Sequence, residues 1–188
     1  VRDALALLEA DEVGDLLDSI VEKTYRNAVF RSGTIGGDTA AAGDGGELFS
    51  STKKSCRKCL TRKNKAGQTE YFHRSVVCAS IGHSPHVVLG QEMLTPRDGG
   101  EKDEGELTGG KRLVRDLHRK FGHFADVIVA DALYLNAPFL NTVLDCHMDA
   151  VIRLKDEERL IYKDARGREK GRVPPWEETD RSVGYQWF

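Results

Sequence analysis

Residues 126–131 constrain the fold of this chain more than any other segment. They read Asp-Val-Ile-Val-Ala-Asp, a short apolar run between two carboxylates. Asn136 and Pro138 then have the residue types of a helix start, and residues 150–154 read as another strand, closing on Lys155. A strand, a helix and a strand connected in this way form a parallel βαβ unit. Open α/β sheets bind ligands beyond the carboxyl ends of their strands, so Asp131 is the first candidate site residue.

Composition limits the class of protein. The 188 residues are 39% hydrophobic, which suits one domain of ordinary size with a real core. The 28 basic and 30 acidic residues nearly cancel, so a nucleic-acid partner would have to meet a local patch. No apolar run approaches the roughly 20 residues of a membrane span, and we expect no membrane partner. Four irregularly spaced cysteines favour a reducing cytoplasm over a disulfide framework.

The remaining patterns predict a mixed sheet flanked by helices. Leucines at helical spacing predict a helical lead-in over residues 1–32. Residues 69–81 and 86–94, separated by a Gly-His-Ser-Pro turn, predict an antiparallel hairpin. Leu107 to Phe121 predicts a helix that stops at Gly122.

Two glycine-rich stretches are harder to interpret. Residues 33–46 fit either a loop or a poorly packed strand at residues 39–43. Gly109 and Gly110 each cost about 1 kcal/mol relative to alanine in a helix, so they predict a helix that begins late or is weak.

Asp44 is the second candidate site residue. The dipeptide Asp44-Gly45 alone is equally good turn chemistry. Together with Asp131, however, it places one carboxylate on the first strand and one at the end of the fourth. That is the layout of ribonuclease-H-like nucleases, in which the two strands are neighbours. Phosphodiester chemistry uses two divalent cations about 4 Å apart, and Mg²⁺ or Mn²⁺ on carboxylate oxygens meets that need.

Several segments, taken in order, resemble the catalytic domain of IS4-like DDE transposases of bacterial insertion sequences. The resemblance covers about residues 30–165. It lies in Asp-Gly-Gly-Glu-Leu-Phe-Ser-Ser at 44–51, Cys-Leu-Thr-Arg at 59–62, Tyr-Phe-His-Arg at 71–74, Glu-Gly-Glu-Leu at 104–107, Asp-Val-Ile-Val-Ala-Asp-Ala-Leu-Tyr at 126–134 and Val-Ile-Arg-Leu-Lys at 151–155.

The resemblance implies a ribonuclease-H-like core at residues 33–165 whose first two metal-binding acids are Asp44 and Asp131. The third acid of this family is a glutamate on a helix that follows a β-rich insertion. Residues 166–188 would begin that insertion, so we expect the glutamate beyond Phe188 and an incomplete catalytic core here. Glu177 and Glu178 are not expected to replace it.

The implied activity is metal-dependent cleavage and strand transfer of double-stranded DNA at the ends of a mobile element and at its target. The complete protein would act as a homodimer in the bacterial cytoplasm, at the nucleoid. The small residues at 39–43 and the pair Gly109-Gly110 depart from the family pattern. They suggest a decayed or partial copy.

Basic side chains crowd the segment after Asp44. They would either form a solvated loop or neutralise DNA phosphates and position the duplex. The candidate DNA-binding residues are Lys53, Lys54, Arg57, Lys58, Arg62, Lys63 and Lys65.

Cys56, Cys59, His73 and Cys78 have the spacing of a C2HC zinc site. His73 and Cys78 are five positions apart in a predicted strand and would point to opposite faces, so the sequence favours ordinary thiols over zinc. Two other functions stay open, another ribonuclease-H-like nuclease and a non-catalytic, zinc-bearing DNA-binding module.

Four further polar residues have two interpretations. Glu47 and Glu106 could lie near the site or serve the surface and a helix start. His118 and His123 fit the dipole at a helix end.

Overall fold

The computed structural model describes residues 10–96 and 103–154, together with Leu160 and Lys163. The helices in these ranges are α1 (Ala10–Arg26), α2 (Glu106–Phe121) and α3 (Ala137–Asp145), with 3₁₀-helices at Val29–Gly33 and Ala132–Tyr134. The strands are β1 (Ala40–Ser51), β2 (Leu60–Lys63), β3 (Thr69–Ile81), β4 (Val88–Met93), β5 (Val127–Ala130) and β6 (Asp149–Ile152).

The chain divides after Arg153 into two units. The second, residues 154–188, lies almost wholly outside the described residues. The β-rich insertion expected at residues 166–188 and the roles considered for Glu177 and Glu178 therefore stay predictions. The strand expected at residues 150–154 ends earlier than predicted, because β6 ends at Ile152 and the described residues Arg153 and Leu154 lie outside it.

The six strands form one mixed sheet in the order β2-β3-β1-β5-β6, with β4 also paired to β3. β1 runs antiparallel to β3 and parallel to β5, and β5 runs parallel to β6. β2 pairs with the first half of β3 and β4 with the second half. The predicted mixed α/β architecture is confirmed, as are the hairpin and the parallel βαβ unit.

The two predicted helix boundaries are also confirmed. Gly122 ends α2 with φ 68°, and its N–H donates to the carbonyl of His118. Asn136 caps α3, because its side-chain oxygen accepts from the backbone N–H of Phe139 at 3.1 Å. These local patterns were readable because each cap satisfies a backbone group that the helix itself leaves unpaired.

β1 and β2 were the strands that the sequence described poorly. β1 is a strand of 12 residues rather than a short one at residues 39–43, and its pairing with β3 shifts between Glu47 and Phe49. It forms despite its glycines because β3 pairs along its length and β5 adds a second partner at residues 40–43. β2 was missed, since three of its four residues are exposed and it lacks the alternating apolar pattern of a half-buried strand.

One face of the sheet packs against the helices and forms the core. Ala41 and Ile128 lie opposite each other on β1 and β5 and are 0% and 1% exposed. The largest fully buried side chains include Tyr134, Phe139, Leu60, Leu89 and Leu117.

Gly109 and Gly110 do not weaken α2, which is continuous from Glu106. Both glycines are buried. A β-carbon on Gly109 would overlap the side chain of Leu94, and one on Gly110 would lie 2.8 Å from Cε1 of Tyr134. The prediction of a late or weak helix start was wrong, because tertiary packing uses the missing side chains to bring the helix close to its neighbours.

Within the described residues, no helix has both the length and the apolar character that crossing a membrane requires.

Candidate carboxylate site

Asp44 lies on β1, and Asp131 directly follows the neighbouring strand β5. The parallel pairing of β1 with β5 runs through Ala42 opposite Val129 and Gly43 opposite Ala130. Asp44 and Asp131 are the next residue of each chain segment. The two carboxylates that the sequence singled out, 87 positions apart, therefore follow the same register position.

Local backbone groups orient both carboxylates in the same way. The N–H of Gly45 donates to Oδ1 of Asp44 at 2.8 Å, and the N–H of Leu133 donates to Oδ1 of Asp131 at 2.8 Å. The second of these bonds caps the short 3₁₀-helix at Ala132–Tyr134. Asp44 is exposed and Asp131 is half-buried, so solvent and a ligand can reach the pair.

Strand alternation places Asp44 on the face of the sheet opposite α2. The position that a side chain of Gly45 would occupy is filled by the carboxyl group of Glu106, on α2. Since successive side chains of a strand alternate between faces, Asp44 points the other way. Asp131 follows the buried Ala130 directly, with extended φ and ψ of −79° and 175°.

Glu106 is both a helix-start residue and a neighbour of the site. It is 6% exposed, and its Oε2 lies 2.8 Å from Nη2 of Arg74, with which it forms an ion pair. Because Arg74 compensates its charge and its carboxyl group lies against Gly45 of β1, Glu106 packs behind this strand, and its oxygens form no close cluster with those of Asp44 and Asp131.

Tyr134 reports the acidic character of this region. The pKa of its phenol is raised, first by burial and then by the carboxylates of Glu106, Asp44 and Asp131. Three acids therefore act on one buried hydroxyl, which stays protonated across the physiological range. Tyr134 was part of a recognised sequence segment, but nothing in the local pattern indicated this role.

The basic residues divide into two groups. Lys53, Lys54, Arg57, Lys58 and Lys65 are exposed. Arg62 donates to Glu47 at 2.7 Å and to Glu70 at 2.6 Å, and these bonds raise its pKa, Glu47 first. Lys63 donates to the hydroxyl of Thr69. Arg62 is therefore neutralised by two carboxylates, and Glu47 is one of its ion-pair partners.

The two histidines considered for a helix dipole have different surroundings. His118 lies in the last turn of α2. Nε2 of His123 lies 2.7 Å from Oδ1 of Asp126, so His123 serves a carboxylate at the start of β5.

The cysteines also separate. Cys56, Cys59 and His73 bring their ligand atoms within 4.8 Å of one another. Cys78 does not belong to this group. It is 3% exposed in the core, where burial raises the pKa of its thiol to about 12. Cys146 is likewise buried, and burial raises its pKa.

Comparisons of the chain with protein-family models, with curated proteins and with solved structures found no match.

Proposed function

We propose that this chain carries the catalytic core of a DDE transposase of the IS4-like class, which cleaves double-stranded DNA and transfers strands during movement of a bacterial insertion sequence. One observation carries the proposal. Asp44 and Asp131 directly follow Gly43 and Ala130, which are paired in the parallel register of β1 and β5. The mixed sheet around them supports a ribonuclease-H-like fold.

The donor set fits Mg²⁺ or Mn²⁺. Both cations prefer hard oxygen ligands and need only a few carboxylates besides water and the substrate phosphate. Asp44 and Asp131 supply oxygens that backbone N–H groups already orient. When bound, such metals activate the attacking oxygen and stabilise the leaving oxygen of a phosphodiester.

The chain's own residues would divide the remaining work. Asp44 and Asp131 hold the negative charge that attracts the cations. The exposed lysines and Arg57 of the segment after β1 would contact DNA phosphates on both element ends and target. In the complete protein we propose a homodimer, since two element ends must be processed together.

Metal binding tests the carboxylate site directly. We expect Mn²⁺, followed by electron paramagnetic resonance, to bind the 188-residue chain weakly and Mg²⁺ to compete with it. Asp44→Asn and Asp131→Asn should each weaken binding about tenfold or more, equivalent to about 1.4 kcal/mol. Asp145→Asn, which changes an exposed carboxylate at the end of α3, is the control. Equal binding by all four proteins would refute the site.

Catalysis by the chain is a separate measurement. Among the described residues, no third His, Cys, Asp or Glu forms a close cluster with Asp44 and Asp131. We therefore expect little cleavage of DNA from these 188 residues. A longer protein that supplies the third acid should cleave and also join strands, and both should be lost in Asp131→Asn. Cleavage without joining would instead indicate another ribonuclease-H-like nuclease.

A second candidate is a zinc-bearing DNA-binding module without catalytic activity. The cluster of Cys56, Cys59 and His73 beside the exposed basic residues favours it. It predicts stoichiometric zinc together with DNA binding that does not respond to Asp131→Ala or to added Mg²⁺.

A further inference from the structure

Three potential metal ligands converge at the edge of the sheet, away from the carboxylates. Sγ of Cys56 lies 3.3 Å from Nε2 of His73, and Sγ of Cys59 lies 3.5 Å from the same nitrogen. The two sulfurs are 3.6 Å apart. A single thiol–imidazole hydrogen bond would need only one sulfur beside the ring, whereas here both approach one nitrogen.

These separations match a tetrahedral zinc site. Zinc lies about 2.3 Å from a thiolate sulfur and about 2.0–2.1 Å from an imidazole nitrogen. At a tetrahedral angle, those bonds place two sulfurs about 3.8 Å apart and a sulfur and a nitrogen about 3.5 Å apart. The three distances observed are each within about 0.2 Å of those values, so a zinc ion fits between the three atoms with little movement.

The backbone between the cysteines is already arranged for a ligand turn. The N–H of Cys59 donates to the carbonyl of Cys56 at 3.2 Å, which closes a turn over Arg57 and Lys58. The N–H of Cys56 donates to Sγ of Cys59 at 3.2 Å. A backbone donor on the sulfur fixes its direction, as outer-shell contacts of metal ligands do. The two basic residues of the turn add positive charge beside two thiolates.

We propose that Cys56, Cys59 and His73 bind one Zn²⁺, with water at the fourth position. Two thiolates and an imidazole select a soft or borderline cation over Mg²⁺. Cys56 is exposed, so solvent reaches the site, and among the described residues the cluster has three members. The C2HC spacing in the sequence was misleading, because its fourth residue, Cys78, is enclosed in the core.

The zinc ion ties the segment between β1 and β2 to the middle of β3. His73 pairs with Phe49 in the β1–β3 register, whereas Cys56 and Cys59 belong to the connection that follows β1. Lys53, Lys54, Arg57 and Lys58 lie in that same connection. The metal thus gives a fixed conformation to the segment proposed to contact DNA. This last step rests on the proposed function, whereas the site itself does not.

The test begins with zinc content. The full chain, produced with zinc and kept reduced by a phosphine, should retain about one zinc per chain by mass spectrometry of the metal. Replacement by Co²⁺ should produce thiolate-to-metal charge-transfer absorption and the intense visible bands of a tetrahedral site. Cys56→Ser and His73→Gln should each lower retained zinc at least about tenfold. Cys146→Ala, which removes a thiol outside the cluster, should retain it.

Two controls test separately whether the variants fold and whether the two metal sites are independent. Circular dichroism should show that Cys56→Ser keeps its secondary structure, since Cys56 is exposed. The double variant Asp44→Asn/Asp131→Asn should keep its zinc while losing Mn²⁺, so failure of the carboxylate site and failure of the zinc site are distinguishable. Absence of zinc and of cobalt charge-transfer bands in the folded, reduced chain would overturn the proposal. So would full zinc retention by Cys56→Ser, or a Cys56–Cys59 disulfide that persists in the phosphine.

Discussion

At the scale of single residues, glycine and aspartate explain most of the site's construction. Gly45 lets the carboxyl group of Glu106 lie directly behind the strand that carries Asp44. A side chain at this position would compete with that carboxylate for the same space. The glycine next to the first acid is therefore a packing requirement as well as turn chemistry.

Gly45→Ala tests this requirement. The added methyl would overlap the Glu106 carboxyl group and push it from its ion pair with Arg74. We expect a loss of about 1–3 kcal/mol in the free energy of unfolding, the usual cost of overpacking. Gly46→Ala is the matched control, because a β-carbon there meets nothing within 4 Å. Urea denaturation of both variants gives the comparison, and equal midpoints would contradict the packing argument.

Asp126 joins the starts of β1 and β5. Its Oδ2 accepts from the N–H of Thr39 at 2.7 Å and from the hydroxyl at 2.6 Å, and Oδ1 pairs with His123. These bonds, His123 first, lower its pKa to about 2. A carboxyl group whose pKa is lower in the folded state stabilises the fold above its unfolded pKa of about 3.9. That stabilisation is lost as pH falls toward about 2.

Asp126→Asn should therefore lower stability at pH 7 by about 1 kcal/mol, a modest value because the carboxylate is 39% exposed. The difference from the native chain should shrink between about pH 4 and pH 2, where Asp126 becomes protonated. Asp38→Asn, which changes an exposed carboxylate just before β1, is the control. Thermal melting across this pH range measures the stability of both variants. A stability difference between Asp126→Asn and the native chain that is independent of pH would show that the charge of Asp126 is unimportant.

At the scale of elements, α2 shows how packing overrides helix propensity. Propensity alone predicts that Gly109→Ala and Gly110→Ala stabilise the helix by about 1 kcal/mol each. The positions are enclosed by Leu94 and Tyr134, which an added methyl would displace. The same two glycines suggested decay when only the sequence was considered. Their packing gives them a structural reason.

We expect Gly109→Ala and Gly110→Ala to destabilise the chain by about 1–3 kcal/mol, as overpacked cores do. Gly14→Ala provides the contrast, since it lies in α1 with nothing within 4 Å of its β-carbon. It should stabilise by about 0.5–1 kcal/mol. Chemical denaturation monitored by circular dichroism separates the two signs. Stabilisation by all three substitutions would mean that propensity dominates.

At the scale of the whole molecule, the candidate acidic residues and the candidate basic residues lie on different parts of the sheet and its connections. Asp44 lies on β1 and Asp131 directly follows β5, and exposed lysines follow β1. With a formal charge of only −2, the chain has no strong overall field. The proposed function therefore predicts that DNA affinity comes from the local basic segment and depends on salt.

The double variant Lys53→Gln/Lys54→Gln should weaken DNA binding about equally for all sequences. Each lost phosphate contact should reduce the slope of log affinity against log salt by about 0.9. Lys23→Gln/Arg31→Gln removes the same charge from α1 and the adjacent 3₁₀-helix and serves as the control. Fluorescence anisotropy over a salt series provides the slopes. Identical slopes for the two double variants would exclude a specific role for the basic segment.

The sequence alone determined the local features and the identity of the candidate acids. The apolar run before Asp131, the Asn136 cap and the Gly122 stop each depend on neighbours within a few positions. Features that depend only on nearby residues can be recognised from the sequence alone. The basic segment could also be recognised from the sequence. The ion pairs of Arg62 with Glu47 and Glu70 could not.

Only the tertiary structure decided what those residues do together. It placed Asp44 and Asp131 directly after a paired position of β1 and β5, and it enclosed Gly45 with Glu106. It also brought His73 to Cys56 and Cys59 while leaving Cys78 in the core. These relations join residues from 14 to 87 positions apart, and they arise from strand pairing and close packing. Neither is encoded in the spacing of neighbouring residues, because both depend on which distant segment fills the adjacent space.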